Sequence, residues 1–428
     1  MVLERDGDRM GRRRCAAALL IVTALHGVGA TCPTFVAWLS SSKHQLQGHP
    51  VHGDAYEGGF VALTVAPDRK SVVINWQLTG KSSSTQMTAA GIFGPATKEQ
   101  VKPSSEGMLL DLGTLCPSGG ACPAPGETRV RRIKVQSDRM EEVLTWMREE
   151  KTYVNVMTNN NPHGEVRGQL VVPRCLDGEL SGAQNYGFVN VMLSPDASDK
   201  SVAVLVQMAP DTTGVKAELK VSTGQCPSSG AACVAVDVRN ELKADAAVDQ
   251  GLQHDIMFNG TWVNPPPNSE PCQGQSMTWA ALQDVARGAH QDHVVCVDAT
   301  NNAGLVVAKG VVSKAAPCRL LSTVEDTLFS TAKAFGSDWL TVWSLNDQSQ
   351  NPDQRRTLSA RYYAHPFEVT DGETAQQIMR RFGISHAELV RSNPSVMDIE
   401  SLSVGDTLCL IPNFRETVSG NGAKICVM

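Results

Sequence analysis

Gly59-Phe60-Val61-Ala62-Leu63-Thr64-Val65-Ala66-Pro67-Asp68 recurs as Gly187-Phe188-Val189-Asn190-Val191-Met192-Leu193-Ser194-Pro195-Asp196. Each stretch leads into a second run with alternating apolar residues: Val72, Ile74, Trp76 and Leu78 in the first, Val202, Val204, Val206 and Met208 in the second. Period-two alternation with one apolar face marks a half-buried antiparallel strand. The Pro-Asp between the runs reads as a hairpin turn. Further on, Met140 to Trp146 has a short helical pattern and leads into Thr152-Tyr153-Val154-Asn155-Val156-Met157-Thr158. Its counterpart is Thr278-Trp279-Ala280-Ala281-Leu282, leading into His293-Val294-Val295-Cys296-Val297. The loops Cys116 to Cys122 and Cys226 to Cys233 fall at equivalent places. Residues 50–173 and 174–317 therefore read as two copies of one antiparallel, all-β, sandwich-like unit, because two-sheet packing buries strands with a single apolar face.

Composition agrees with a chain of several strand-rich units. The chain has 428 residues, enough for several domains, and 42% hydrophobic residues, enough for several cores. Gly (36) and Pro (22) are plentiful and aromatics are 5%, which favours short strands and turns. A net charge of -6 excludes a general nucleic-acid binder, which carries a basic excess. After the N-terminus no apolar run is long enough for a bilayer span.

The N-terminus reads as an export signal over residues 1–30. Arg5, Arg9 and Arg12-Arg13-Arg14 form a basic segment, Cys15 to Val28 an apolar one, and Val28-Gly29-Ala30 a small-residue cleavage site. Residues 31–49 read as a linker. Twelve cysteines suit an oxidising compartment. Cys116 with Cys122, Cys226 with Cys233, Cys272 with Cys296, Cys409 with Cys426, and the bracketing pair Cys175 and Cys318 are the plausible partners by spacing, with Cys32 as the candidate odd thiol. Asn259-Gly260-Thr261 is a glycosylation acceptor, expected on a surface loop.

From Cys318 the pattern turns helical. Asp326 or Thr327 opens a helix carrying Leu328, Ala332 and Phe335 on one face and closing at Gly336; a second helix, with Leu340, Val342 and Trp343 inward, ends at Asn346. The arrangement returns 47 residues later, with Thr374 for Thr327, Phe382 for Phe335, Gly383 for Gly336 and Asn393 for Asn346. Ser385 with Glu388 forms a capping box.

Two resemblances follow from these residues. Tyr153-Val154-Asn155-Val156 with Pro162-His163-Gly164-Glu165-Val166-Arg167-Gly168-Gln169-Leu170 resembles the closing signature of the CHRD domain, an extracellular module first described in chordin. The second copy keeps Asn301-Asn302 and Gly304 but not the Glu and Arg. On a strand Glu165, Arg167 and Gln169 share one face, which reads as a structural pairing that locks the last strand. The tail resembles LysM, a small βααβ carbohydrate-binding module. Residues 364–413 carry the whole pattern, including Gly372-Glu373-Thr374, Asn393-Pro394 and Val404-Gly405-Asp406; residues 318–363 carry the helices without the closing motif. Residues 414–428 are a polar tail.

The LysM resemblance implies binding of glycans that contain N-acetylglucosamine, of the chitin or peptidoglycan type, between the loop after the first strand and the loop after the second helix. It places the contacts at Asp371, Gly372, Glu373, Thr374, Asn393, Pro394 and Ser395, with Asp326, Thr327 and Asn346 in the first module. The CHRD resemblance implies non-catalytic units that act as spacers or contact an extracellular protein partner. His49 with His52 and His290 with His293 lack accompanying carboxylates and read as surface histidines, so no metal or other cofactor is expected. No Gly-x-Ser-x-Gly elbow occurs. The expectation is a secreted, non-enzymatic, carbohydrate-binding glycoprotein: two CHRD units followed by two LysM modules. The alternatives are a matrix protein without glycan binding and an enzyme targeted by LysM.

Overall fold

The computed structural model describes residues 29–30, 32–40, 56–80, 87–96, 107–113, 128–182, 186–196, 201–208, 216–223, 234–236, 255–261, 279–287, 293–300, 305–322, 327–346, 359–394, 396, 398–411, 416–418 and 424–426. Mostly antiparallel sheet, with few helices, makes up these residues.

The first unit contains β2 (Phe35–Leu39), β3 (Tyr56–Val65), β4 (Ser71–Gly80), β5 (Met87–Phe93), β6 (Met108–Asp111), β7 (Thr128–Gln136), α1 (Met140–Arg148), β8 (Tyr153–Thr158) and β9 (Val166–Gln169), and β1 (Gly29–Ala30) precedes it. Two four-stranded sheets form, in the orders β2-β3-β4-β7 and β6-β5-β8-β9. Between them Val72, Ile74, Trp76 and Leu78, the alternating residues of β4, are fully buried against Ile92, Val154, Val156 and Val166. The apolar face of α1, Met140, Val143, Leu144 and Met147, completes the same core. The sheets are joined along one side, where Val36 pairs with Val171 and Ser40 with Arg167. At that crossing Gly168 lies so close to the Trp38 carbonyl that a Cβ has no room. Close backbone approach is the physical reason for this glycine of the closing motif.

The stretch 31–49, read from sequence as linker, therefore holds a core strand. β2 is buried on both faces: Phe35, Ala37 and Leu39 face the sandwich interior, while Val36 and Trp38 pack with Phe60 and Ala62 against Cys175, Met192 and Ala203 of the second unit. A strand covered on both sides is apolar at every position. The run Phe60-Val61-Ala62-Leu63 in β3 has the same cause.

The second unit contains β10 (Arg174–Ser181), β11 (Tyr186–Leu193), β12 (Ser201–Met208), β13 (Lys216–Thr223), β14 (Val234–Val236), β15 (Asp255–Thr261), α2 (Trp279–Arg287), β16 (His293–Thr300) and β17 (Val306–Lys314). Its order is β14-β13-β16-β17-β10-β11-β12-β15. Reading β10 for β2 and β17 for β9, this is the strand order of the first unit, with the helix in the equivalent place. The two halves, however, form one continuous eight-stranded sheet, because Leu176, Asp177 and Ser181 of β10 pair with Lys314, Ser313 and Lys309 of β17. Gly310 repeats the device of Gly168, lying too close to the Glu179 carbonyl for any side chain. Asn259-Gly260-Thr261 lies in β15, at the sheet edge, rather than in a loop.

The last part is two consecutive βααβ units. One consists of β18 (Arg319–Ser322), α3 (Leu328–Phe335), α4 (Trp339–Ser344) and β19 (Ser359–Tyr362); the other of β20 (His365–Glu368), α5 (Ala375–Phe382), α6 (His386–Ser392) and β21 (Thr407–Leu410). Only Tyr363 and Ala364 separate them. β22 (Glu416–Val418) and β23 (Lys424–Cys426) form a hairpin in the segment read as a plain tail. Gly29 and Ala30, the expected cleavage site, pair with Leu321 and Leu320.

Two disulfides differ from the expected pairings. Cys32 bonds to Cys175, so Cys32 is not the odd thiol, and Cys318 bonds to Cys409, not to Cys175, while Cys409 does not bond to Cys426. Cys296 is also disulfide-bonded. Proximity in sequence favoured short loops, whereas the observed bonds join domains. The loops Cys116 to Cys122 and Cys226 to Cys233, and Cys272, lie outside the described residues, as do His49, His52 and His290. Among the described residues no group of three or more His, Cys, Asp or Glu stands where a metal would bind, and no helix is long and apolar enough to cross a membrane.

Candidate functional site

The two loops of the second βααβ unit are built from the core outward. Val369, Ala375, Ile378, Ile384, Leu389, Ile399, Leu408 and Leu410 form its core. The first loop leaves β20 through Val369, whose N–H donates to the Asp406 carbonyl at 2.8 Å while its carbonyl accepts from Gly405 N–H at 2.8 Å. The turn Val404-Gly405-Asp406 thus carries the sheet up to the base of the loop. The loop closes on Glu373. One oxygen of its carboxylate accepts from the Thr370 N–H (2.9 Å) and hydroxyl (2.7 Å), and the other faces Arg381 at 3.3 Å. These hydrogen bonds from Thr370, and then the Arg381 charge, hold the Glu373 carboxyl below its usual range.

Thr374 is the N-cap of α5. Its hydroxyl accepts from Gln377 N–H at 3.3 Å, and its own N–H donates to the Gln377 side chain at 2.9 Å, a reciprocal capping box. Asp371 and Gly372 are left exposed at the tip, with open space where a Gly372 Cβ would stand. On the other side, Pro394 and Val396 are half-buried and Ile399 is buried. Ser395 lies outside the described residues. Asp398 accepts from Ser401 and from the Glu400 N–H, which with the nearby Arg148 charge lowers its carboxyl.

Asn393 has a different place from an exposed ligand contact. It is buried, its Nδ2 donates to the carbonyls of Leu389 (2.8 Å) and Cys409 (3.0 Å), and its Oδ1 accepts from the Cys409 N–H at 2.6 Å. It ties the end of α6 to the last strand. Asn346 does the same in the first unit: Nδ2 donates to Val342 O (2.6 Å) and Tyr362 O (2.9 Å), and Oδ1 accepts from Tyr362 N–H at 2.9 Å. Every partner keeps the 47-residue offset. Thr327, like Thr374, is an N-cap with a capping box, closed by Ser330; Asp326 lies outside the described residues. Gly336 and Gly383 both take the left-handed cap conformation. Leu340, expected inward, is exposed, and only Val342 of α4 is fully buried, because a six-residue helix has one short apolar stripe.

Residues 367–410 match the LysM domain, and residues 35–170 match the CHRD domain. The chain thus contains one LysM and one CHRD domain. No curated protein matches the chain.

Within the LysM domain the structure divides the residues predicted from sequence. Asp371 and Gly372 are presented outward, Glu373 and Thr374 brace the first loop, and Asn393 holds the fold. In the CHRD domain the Glu-Val-Arg motif is interior. The Glu165 carboxylate accepts from the Thr158 hydroxyl (2.9 Å) and Asn161 Nδ2 (3.2 Å), while the buried Arg167 guanidinium lies 3.4 Å from the Tyr153 ring centroid. Burial pushes Arg167 down to about 10 and, with Glu165 nearby, Tyr56 up to about 12. Sequence reasoning missed Thr370, which holds Glu373, and Arg69. The Arg69 Nη1 donates to the Val396 carbonyl at 2.8 Å, from a position 327 residues earlier.

The Glu373 brace has a pH signature. A folded carboxyl held below its ordinary value of 4.5 adds stability above that pH, and this is lost as pH falls through the lowered value. Glu373→Gln is expected to speed amide exchange at Thr370 at neutral pH, with the gap between variant and wild type closing in acid. A gap that stays constant across that range would refute the brace.

Proposed function

We propose that this is a secreted, non-enzymatic protein that attaches to an N-acetylglucosamine-containing polysaccharide through its LysM domain. The match over residues 367–410 carries the reading. In it, the ligand meets Asp371 and Gly372 on one side and Pro394 and Val396 on the other. Glu373, Thr374 and Asn393 act as the frame. The exposed residues Asp371 and Gly372 together with the half-buried Pro394 and Val396 suit an acetamide, which needs both hydrogen bonds and an apolar place for its methyl.

Residues 318–363 serve as a second, diverged LysM module, and residues 174–317 as a diverged CHRD unit. The first assignment is supported by the Asn346 clamp at the same offset, the second by the shared strand order. Two glycan sites on one chain raise avidity when both engage. The CHRD units act as spacers or contact an extracellular protein. Export is supported by the basic and apolar N-terminus and by disulfides that join domains.

The test is retention of the full chain on insoluble chitin and on peptidoglycan, with release by soluble N-acetylglucosamine oligomers. Retention on at least one polymer, weakened by Asp371→Ala, is the expected result. Retention on neither leaves the matrix-protein alternative standing.

A further inference from the structure

The loop after α6 is held from two sides. Its inner side belongs to the LysM core through Val396 and Ile399, and its start is anchored by Asn393. Its outer side rests on the CHRD domain. The buried Arg69 guanidinium donates from Nε and Nη2 to both oxygens of Glu141, at 3.0 and 2.7 Å, and from Nη1 to the Val396 carbonyl at 2.8 Å. Glu141 and Arg148 lie two turns apart on the outer stripe of α1, and the Arg148 charge reaches Asp398 of the same loop. Two neighbouring points of the loop thus face the same helix.

Arg69 also occupies an unusual backbone position. It sits in the turn between β3 and β4 at φ 53°, a left-handed conformation that Gly or Asn adopts at lower cost. An arginine there is explained by what its side chain reaches.

We propose that Arg69 is a positioning residue for the glycan site, latching Val396, in the loop after α6, to the CHRD domain and setting its place before sugar arrives. This rests on the glycan reading of the LysM domain. A loop ordered in advance loses less freedom on binding. The planar fork of Arg supplies three directed N–H groups at once, which an ammonium does not reproduce.

The test uses the full chain as wild type, Arg69→Ala and Arg69→Lys. Affinity for a soluble N-acetylglucosamine oligomer is measured by titration, and amide exchange is followed at Val396, Glu400 and the strands β3, β4, β20 and β21. Both variants are expected to bind about tenfold more weakly, with faster exchange at Val396 and Glu400 and unchanged protection in the four strands. Wild-type affinity in Arg69→Ala, with the strands intact, overturns the proposal. If wild type does not bind the oligomer, the glycan reading falls and exchange alone decides the latch. Faster loop exchange in Arg69→Ala then upholds it, and unchanged exchange removes it.

Discussion

Replacing Asn393 by alanine is expected to unfold the LysM domain rather than merely weaken its grip on sugar. The side chain is buried and satisfies both the N–H and the carbonyl of Cys409 as well as the Leu389 carbonyl. Alanine leaves the Cys409 N–H buried without this partner, and leaves the Cys409 and Leu389 carbonyls to share the Ser392 hydroxyl, at 2.6 and 3.1 Å. An orphaned buried N–H costs about 1–3 kcal/mol and each further lost hydrogen bond about 1 kcal/mol, so a loss of roughly 3 kcal/mol is expected. A domain this small has little stability to spare. Amide exchange across α6 and β21 is the measurement: wild-type protection in the variant would refute the clamp. Asn346→Ala is expected to do the same to the first βααβ unit. One consequence concerns binding assays. Lost retention in Asn393→Ala reports a lost fold, so the exposed Asp371 is the informative position.

The double change Cys318→Ser with Cys409→Ser is expected to have the larger effect. The two residues are separated by 91 positions, and the chain-entropy model assigns about 4.5 kcal/mol to closing a loop of that length. The bond lies in a core shared by both βααβ units, with Leu320, Phe335, Tyr363 and Ala364. Phe335 and Tyr363 stack at 3.9 Å between centroids, and the Tyr363 hydroxyl donates to the Ser392 carbonyl at the end of α6. The two units are therefore expected to lose protection together, in one transition at lower denaturant than wild type. Two separate transitions in the variant would show that the bond, rather than the shared core, couples the units, and an unchanged midpoint would show that the bond adds no stability. Peptide mapping without reduction supplies the direct check on connectivity: a linked pair containing Cys318 and Cys409.

Much of the binding module was legible because its signals are local. A cap, its partner three residues on, and a left-handed glycine at the helix end are set within one or two turns, and Thr374, Gln377 and Gly383 behave as such residues do. The alternation of Val72, Ile74, Trp76 and Leu78 likewise shows directly which face of β4 is interior. The site was only half legible. Loop residues that brace and loop residues that face outward look alike in sequence. Thr370 and Arg381 divide Glu373 from Asp371; Thr370 belongs to no motif, and Arg381, although part of the LysM pattern, carries no local sign of its pairing with Glu373.

Taken alone, the sequence determined the antiparallel β character, the repeat in the tail, the helix ends and the LysM and CHRD signatures, because each depends on residues close together in the chain. Only the tertiary structure decided that Phe35–Leu39 is a core strand, that Asn393 is a clamp, which cysteines pair, and that Arg69 reaches Val396. A strand buried on both faces shows no alternation. A disulfide, or a hydrogen bond spanning 327 positions, depends on how separate domains pack, and no local pattern records that.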